Sequence, residues 1–245
     1  MEKSYAFLFA FMITGLIASN VFLINTLSEK RNLESVQISR VLDGDTLELT
    51  DGRILRLLNI NSPEKNQPLS ELATNFLKHF QNQTIQVEIS GTGRYGRYLA
   101  RLYSPDYLNL ELVKKGFVHK YLVDDSELNV FSKEEEKSRE KGLGIWNKSK
   151  YYGCLDVEIN KKEEFLIINN KCNLNLSLFL KDESTKTYNI KINEKEKLTV
   201  FSRQGENSKS KLYLQSKKNI WNDDKDSIFI RDSNGYLIYY DSYGY

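Results

Sequence analysis

The chain of 245 residues is short of the side chains from which many hydrolytic and metal-dependent sites are built. It has two histidines, His79 and His119. Mechanisms that need a histidine base with a histidine partner, or a histidine-rich metal centre, are therefore excluded. It has two cysteines, Cys154 and Cys172, and no Cys-x-x-Cys, so it cannot build a cysteine zinc site. It also lacks an excess charge of one sign. The formal net charge is +2, and basic and acidic residues balance on both sides of Lys150. A protein that binds nucleic acid through bulk charge is excluded, and any contact with nucleic acid rests on a local cluster. Any hydrolytic chemistry here falls to carboxylates, arginines or a metal with oxygen ligands.

What is present in quantity is apolar surface. Hydrophobic residues make up 40% and charged residues 28%, a globular balance rather than a disordered one. The length favours two modest domains once any targeting segment is set aside. Residues 4–28 carry no charge and include Phe7, Leu8, Phe9, Phe11, Leu16, Val21, Phe22 and Leu23. A run of this length can span a bilayer, which takes about 20 residues. Ala18-Ser19-Asn20 makes a poor cleavage site. The expectation is an uncleaved signal-anchor, with a cleaved signal peptide as the alternative. The catalytic part is then exported, either membrane-anchored or secreted.

Residues 36–42, 46–49 and 53–60 read as three strands, with Asp51-Gly52 as a hairpin turn. Leu69, Leu72, Ala73, Phe76, Leu77 and Phe80 recur at helical spacing, with Pro68 at the expected first helical position. Ile85, Val87 and Ile89 alternate as in a half-buried strand, and residues 97–103 form another. Asn109 is expected to cap a short helix ending at Gly116, and a charged helix is expected over 126–141. The order predicts an OB-type five-stranded β-barrel with three helices, an α+β unit over 36–150. From 153 to 245 helical periodicity disappears, and short β segments alternate with polar turns. The expectation there is an all-β sandwich.

Three phrases carry the candidate chemistry. They are Asp43-Gly44-Asp45-Thr46, then Arg56 followed by Asn61-Ser62-Pro63-Glu64, then Arg94-Tyr95-Gly96-Arg97. Each taken alone has a bland reading as a turn or a helix start. In this order, and followed by Gly142-Leu143-Gly144-Ile145-Trp146, they closely resemble the staphylococcal nuclease family over residues 36–147. The resemblance implies a Ca²⁺-dependent nuclease acting on DNA and RNA with little sequence preference and leaving 3′-phosphate ends. It implies that Arg56 and Arg97 clamp the phosphate oxygens, where paired guanidinium donors match the developing charge. It gives Glu64 the attacking water. It gives the metal to Asp45, to Asn61 and to the carbonyl of Ser62. The family has Asp where this chain has Asn61, so a ligand survives there without its charge, and metal affinity should fall. Asp43 is placed to compensate from behind the ligands. Arg94 and Tyr121 correspond to substrate contacts, and His119 to a strand residue.

The C-terminal part resembles a lamin-tail-type, immunoglobulin-like domain, most clearly in Trp221-Asn222-Asp223 followed by Asp226 and Gly235. That resemblance implies an immunoglobulin-like sandwich with an unknown partner, with Trp221 in its core. Tyr236, Tyr239, Tyr240, Tyr243 and Tyr245 are open to two readings, a binding face or a terminal strand. In an oxidising compartment Cys154 and Cys172 would pair, and in a reducing one both would be small buried residues. Two alternatives to a nuclease stand beside it: a catalytically weak nucleic-acid-binding OB module that keeps the fold, and a surface adhesion protein built on the sandwich.

Overall fold

A computed structural model describes residues 32–184 and 186–244. The apolar segment 4–28 lies outside them. Among the described residues no helix is long and apolar enough to cross a membrane. Residues from Ser35 to Tyr245 form one compact unit that contains both the barrel and the C-terminal sheets.

Strands β1 (Leu33–Val41), β2 (Thr46–Leu49), β3 (Ile54–Leu57), β5 (Thr84–Thr92) and β6 (Tyr98–Tyr103) close into a barrel in the order β1-β2-β3-β6-β5. Alternation drives it: Leu47, Leu49, Leu55, Leu57, Val87, Ala100 and Leu102 point into one buried core. The β2–β3 hairpin turns where expected. Asp51 accepts the Arg53 amide at 3.0 Å, and Gly52 takes a φ of 85° that most residues avoid. Helices α1 (Glu71–Lys78), α2 (Leu108–Lys114) and α3 (Asp125–Glu140) pack outside, the first through Ala73 and Leu77. A short pair, β4 (Ile60–Asn61) with β7 (His119–Lys120), extends the third strand into a separate sheet. It is fastened to α3 by a buried ion pair, Lys120 Nζ to Glu135 at 2.6 Å.

Two sequence expectations need correction. Pro68 does not open the first helix, which starts at Glu71 after Ser70. Leu69 sits at φ 68° and packs away from the helix, beside Trp146 and Phe229, so its apolar character serves another surface. Asn109 does not cap the second helix either. It is buried inside it, accepting from the Leu102 amide at 3.1 Å and donating to the carbonyls of Leu58 and Ala100. Its amide matches three backbone groups of the barrel wall, of which the Ala100 carbonyl also accepts the Leu58 amide.

The C-terminal part comprises β8 (Leu155–Asn160), β9 (Phe165–Asn170), β10 (Leu176–Lys181), β11 (Thr187–Ile192), β12 (Lys197–Phe201), β13 (Lys211–Tyr213), β14 (Asp226–Asp232) and β15 (Leu237–Tyr243). They form two four-stranded sheets, β11-β10-β14-β15 and β13-β12-β9-β8, around one core that includes Leu166, Ile168, Leu178 and Trp221. Strand β8 alternates Leu155, Val157 and Ile159 with the exposed Asp156 and Glu158, although Val157 and Ile159 are only half-buried. Cys154 and Cys172 form a disulfide with Cα atoms 5.3 Å apart.

Barrel and sandwich share a third cluster. Ile145 and Trp146, at the end of the barrel segment, pack on Phe229, Leu237 and Tyr240 of the last two strands. Ser149 donates to the Leu237 carbonyl at 2.8 Å, and Leu237 to that of Asn147 at 2.9 Å. A fully buried tryptophan loses transfer energy and leaves a cavity when truncated, so Trp146→Ala is expected to cost about 3–5 kcal/mol. Urea unfolding followed by far-ultraviolet circular dichroism checks this. Because the residue joins both parts, the wild type is expected to unfold in one transition and the variant in two.

Candidate active site

The site is assembled where three chain segments meet at one end of the barrel. The Asp43–Thr46 turn links β1 to β2, and Asp43 accepts the Asp45 amide at 3.0 Å. Gly44 is forced by a close approach. A Cβ there would lie 2.7 Å from those of both Ala73 and Ser62. Only glycine lets the turn lie against α1 and against the segment that carries Glu64.

Arg56 leaves β3 and is largely buried. Its Nε lies 3.2 Å from an Asp45 oxygen. Its other nitrogens donate to the carbonyls of Leu57 (2.6 Å) and Ile60 (2.9 Å) and to Asn61 Oδ1 (2.9 Å). Asp45 in turn accepts the Ser62 amide at 2.8 Å and the Thr46 hydroxyl at 3.1 Å. Four of the sequence-selected residues, Asp45, Arg56, Asn61 and Ser62, thus form one hydrogen-bonded group. Glu64 stands beside it, half-buried. Burial raises its pKa first, the Asp45 and Asp43 carboxylates raise it further, and Lys181 and Arg56 pull it back. Burial and Asp45 likewise raise Asp43. Tyr121 lies within the electrostatic reach of Arg56 and Arg94; burial raises its phenol.

Arg97 behaves differently from Arg56. It follows a one-turn 3₁₀ segment whose Tyr95 is 92% exposed and held at φ 62°. Its guanidinium lies over the Tyr95 ring at 5.8 Å and bonds weakly to the Arg94 carbonyl at 3.5 Å. Among the described residues no ion pair or hydrogen bond joins Arg97 or Arg94 to the Arg56 group. Arg101, two turns of the pleat further on, is a structural counter-example. Glu127 (2.6 Å), Asp124 and Glu88 all engage it.

The oxygen donors gathered here, three carboxylates with an amide and a backbone carbonyl, suit a hard divalent cation in type. Burial first, and then repulsion among the carboxylates, raises Asp43 and Glu64, and such a cation would relieve the second. Among the described residues, however, no three acidic, histidine or cysteine side chains stand close enough to hold an ion as placed.

Sequence reasoning missed the sandwich's part in this site. Asn61 Nδ2 donates to the backbone carbonyl of Glu183, in the β10–β11 loop, at 3.0 Å. Gln67 accepts the Glu64 amide through Oε1 (3.2 Å) and donates through Nε2 to Thr187 Oγ1 (2.9 Å). A Cβ at Gly235, φ 85°, would run into Pro68. The sandwich therefore grips the segment carrying Glu64 on both sides. These partners lie about 120 residues away in sequence, and no local pattern announces them.

A family model described as staphylococcal nuclease homologue matches residues 54–148. An uncharacterized endonuclease of Escherichia coli O157:H7 is 34% identical over 119 residues, covering 45% of this chain and 76% of that relative. The chain belongs to the staphylococcal nuclease homologue family. The SPbeta prophage-derived endonuclease YokF of Bacillus subtilis is 31% identical over 138 residues, 49% of this chain and 47% of that protein. An uncharacterized protein of Methanocaldococcus jannaschii is 28% identical over 146 residues, 45% of this chain and 70% of its own length. The closed five-stranded barrel with its helices fits the family, and the family with its endonuclease relatives supports a nuclease hydrolase. The family match begins at residue 54, so the Asp43–Thr46 turn lies before it, yet the fold brings that turn to the matched residues.

Asn61 uses its amide as a donor towards the sandwich and its oxygen as an acceptor towards Arg56. Asn61→Asp would strengthen the Arg56 contact but set a carboxylate against the Glu183 carbonyl. An unsatisfied buried pair of acceptors costs about 1–3 kcal/mol. The variant is expected to unfold at lower urea concentration than wild type, and a midpoint equal to or above wild type would refute the latch.

Proposed function

We propose that this protein is a Ca²⁺-dependent nuclease that hydrolyses phosphodiester bonds of DNA, and of RNA, with low sequence specificity and leaves 3′-phosphate ends. The observation that carries this reading is the Asp45–Arg56–Asn61–Ser62 group with Glu64 beside it. One preorganised guanidinium, one carboxylate with a raised pKa and an oxygen-rich ligand set meet at one place. The Ca²⁺ dependence and the product polarity rest on the family resemblance.

In the mechanism, a phosphodiester enters with its non-bridging oxygens towards Arg56 and Arg97. Arg56 is held rigid by its backbone acceptors and offers its one remaining N–H bond without reorganising. Arg97, loosely held over Tyr95, closes on the phosphate from the other side. Glu64 is raised towards a more basic value by burial, so its carboxylate orients a water and accepts its proton as the oxygen attacks phosphorus. Asp45, Asn61 Oδ1 and the Ser62 carbonyl, with Glu64 and Asp43 nearby, are the residues that would hold the Ca²⁺. That ion would supply charge neutralisation at the phosphate. Arg94 and Tyr121 line the approach and contact neighbouring parts of the strand.

The second reading, a catalytically weak nucleic-acid-binding barrel, is favoured by one observation: both ends of the Asn61 amide are already engaged. We also propose that the catalytic part is exported and tethered through residues 4–28, which the Cys154–Cys172 disulfide supports, since such bonds persist in oxidising compartments. The immunoglobulin-like, lamin-tail identity of the sandwich remains part of this proposal.

DNA cleavage by a soluble form starting at residue 31, with millimolar Ca²⁺ or with chelator, separates the two readings. Glu64→Gln is expected to lower the rate about 10²–10⁴-fold while DNA binding stays within a few fold. Cleavage by neither, with DNA binding intact, would favour the binding module, and equal cleavage by both would overturn the role given to Glu64. The two arginines are expected to separate as well. Arg97→Ala should lower the rate about 10²–10³-fold with an unchanged unfolding midpoint, whereas Arg56→Ala should lower both.

A further inference from the structure

Outside the candidate site, a cleft of about 260 Å³ opens on the sandwich where three segments meet. They are the β8–β9 turn, the residues just after β12, and the chain that leads from β13 to β14. All nine residues that line the cleft are polar or charged, so it offers nothing to an apolar ligand or a stacked ring. Four are cations: Lys162, Arg203, Lys217 and Lys218. Two are carboxylates, Glu163 and Glu164, which leaves an excess of two positive charges. Of these, Glu164 is 7% exposed, and its Oε2 is taken by the Ile220 amide at 2.9 Å.

The three segments are bonded to one another. The Ser202 amide donates to the Glu164 carbonyl at 3.0 Å, and the Ser216 amide to the Ser202 carbonyl at 2.8 Å. Glu164 holds φ 58°, a left-handed conformation that persists only where surroundings over-determine it. Arg203 lies over the Phe201 ring at 4.8 Å. Elsewhere on the surface Arg40, Arg53, Lys114, Lys137 and Lys171 each pair with a carboxylate at 2.6–2.9 Å. Among the described residues none of the four cleft cations does.

Exposed cations keep their water, so the lack of a partner alone asks for no ligand. Their place in the fold does. Strand β10 ends beside the start of β14, and β12 ends beside the start of β9. The cleft therefore lies at the same end of the sandwich as the β10–β11 loop. A series of bonds joins the two: the Glu183 amide donates to Asp226 at 3.3 Å, the Asn222 amide to Asp226 at 3.0 Å, and Ile220 to Glu164. That loop is the one whose Glu183 carbonyl receives Asn61. The cleft and the Arg56 group thus meet one end of the sandwich. Asp223 and Asp224 are exposed on the linking segment, so the positive surface is confined to the cleft.

A DNA duplex presents one negative charge per about 1.7 Å of axis, and lysines neutralise such charges without reading bases. We propose that this cleft is a second nucleic-acid contact, in which Lys162, Arg203, Lys217 and Lys218 hold the phosphate backbone of the polymer that the barrel cuts. The choice of partner rests on the nuclease reading, which the proposal deepens by giving the sandwich the task of retaining polymer between cuts. With charge and no stacking ring, the contact is independent of sequence.

The test is fluorescence anisotropy of a labelled duplex of about 30 base pairs at salt concentrations from about 50 to 200 mM. The protein is the full chain carrying Glu64→Gln, in chelator and neutral detergent. In that background Lys162→Gln, Lys217→Gln and Lys218→Gln are combined, all at exposed positions. Arg203 is left in place because it packs on Phe201. A control combines Lys191→Gln, Lys195→Gln and Lys197→Gln, exposed cations at the opposite end of the sandwich, where β11 ends and β12 begins. The cleft variant is expected to bind about tenfold more weakly or worse, and its slope of log K against log salt to fall by about 2–3, near 0.9 for each lost contact. The control is expected to stay within a few fold of the parent. Unchanged binding or an unchanged salt slope in the cleft variant would overturn the proposal. So would an equal loss in the control, because bulk charge would then account for the attraction. Failure of the nuclease reading would look different: cleft variant and control still separate in binding, with DNA uncut by the chain that retains Glu64.

Discussion

The site depends on one guanidinium. Arg56 holds Asp45, two carbonyls of its own strand end and the Asn61 amide at once, and a side chain with three nitrogens in a fixed plane can do so in only one geometry. That geometry fixes where β3 stops, because its acceptors are the carbonyls of Leu57 and Ile60. It fixes the Asp43–Thr46 turn, because Asp45 is shared between Arg56 and the Ser62 amide. It sets the start of the segment that carries Glu64. In this chain Arg56 organises the site, whereas Arg97 is held only over the Tyr95 ring and at the Arg94 carbonyl.

The sandwich extends the same network. Asn61 passes the constraint from Arg56 to Glu183, Gln67 passes it from Glu64 to Thr187, and Pro68 rests on Gly235. Leu69 sits in the left-handed region, which a leucine rarely adopts, and such a conformation persists only where surroundings over-determine it. Here the surroundings are Trp146 and Phe229, one from each part of the molecule. The asparagine at position 61, where the resemblance leads one to expect an aspartate, is then accounted for by the partner it faces. A carbonyl requires a donor, and aspartate has none to offer.

Much of this was legible in the sequence. Alternating Leu47, Leu49, Leu55 and Leu57 marked the barrel strands, the Asp51-Gly52 turn marked the hairpin, and two of the three short phrases named residues that the fold brings together, Asp45, Arg56, Asn61 and Ser62. Local pattern misled where an apolar or polar residue served a distant partner. Leu69 looked like a helix residue because its spacing fits, but its contacts lie across the molecule. Asn109 looked like a cap because asparagine favours caps, but three barrel groups claim its amide. The Arg94-Tyr95-Gly96-Arg97 phrase singles out Arg97, and the ring of Glu88, Asp124 and Glu127 shows that Arg101, four residues on, is structural. Contacts between residues about 120 apart, such as Gln67 with Thr187, leave no mark in any local window.

The oxygen donors that a Ca²⁺ ion would use are already engaged with one another's neighbours. Asp45 is already bonded to Arg56, Ser62 and Thr46, and Asn61 brings no charge. The most direct test is a Ca²⁺ titration of the nucleic-acid-free protein by calorimetry. Weak binding is expected, with a Kd of about 10⁻⁴–10⁻³ M, because few charged ligands are present and the site must rearrange. A Kd in the micromolar range or below would contradict it, because the Arg56 network could then not be the resting arrangement of these residues.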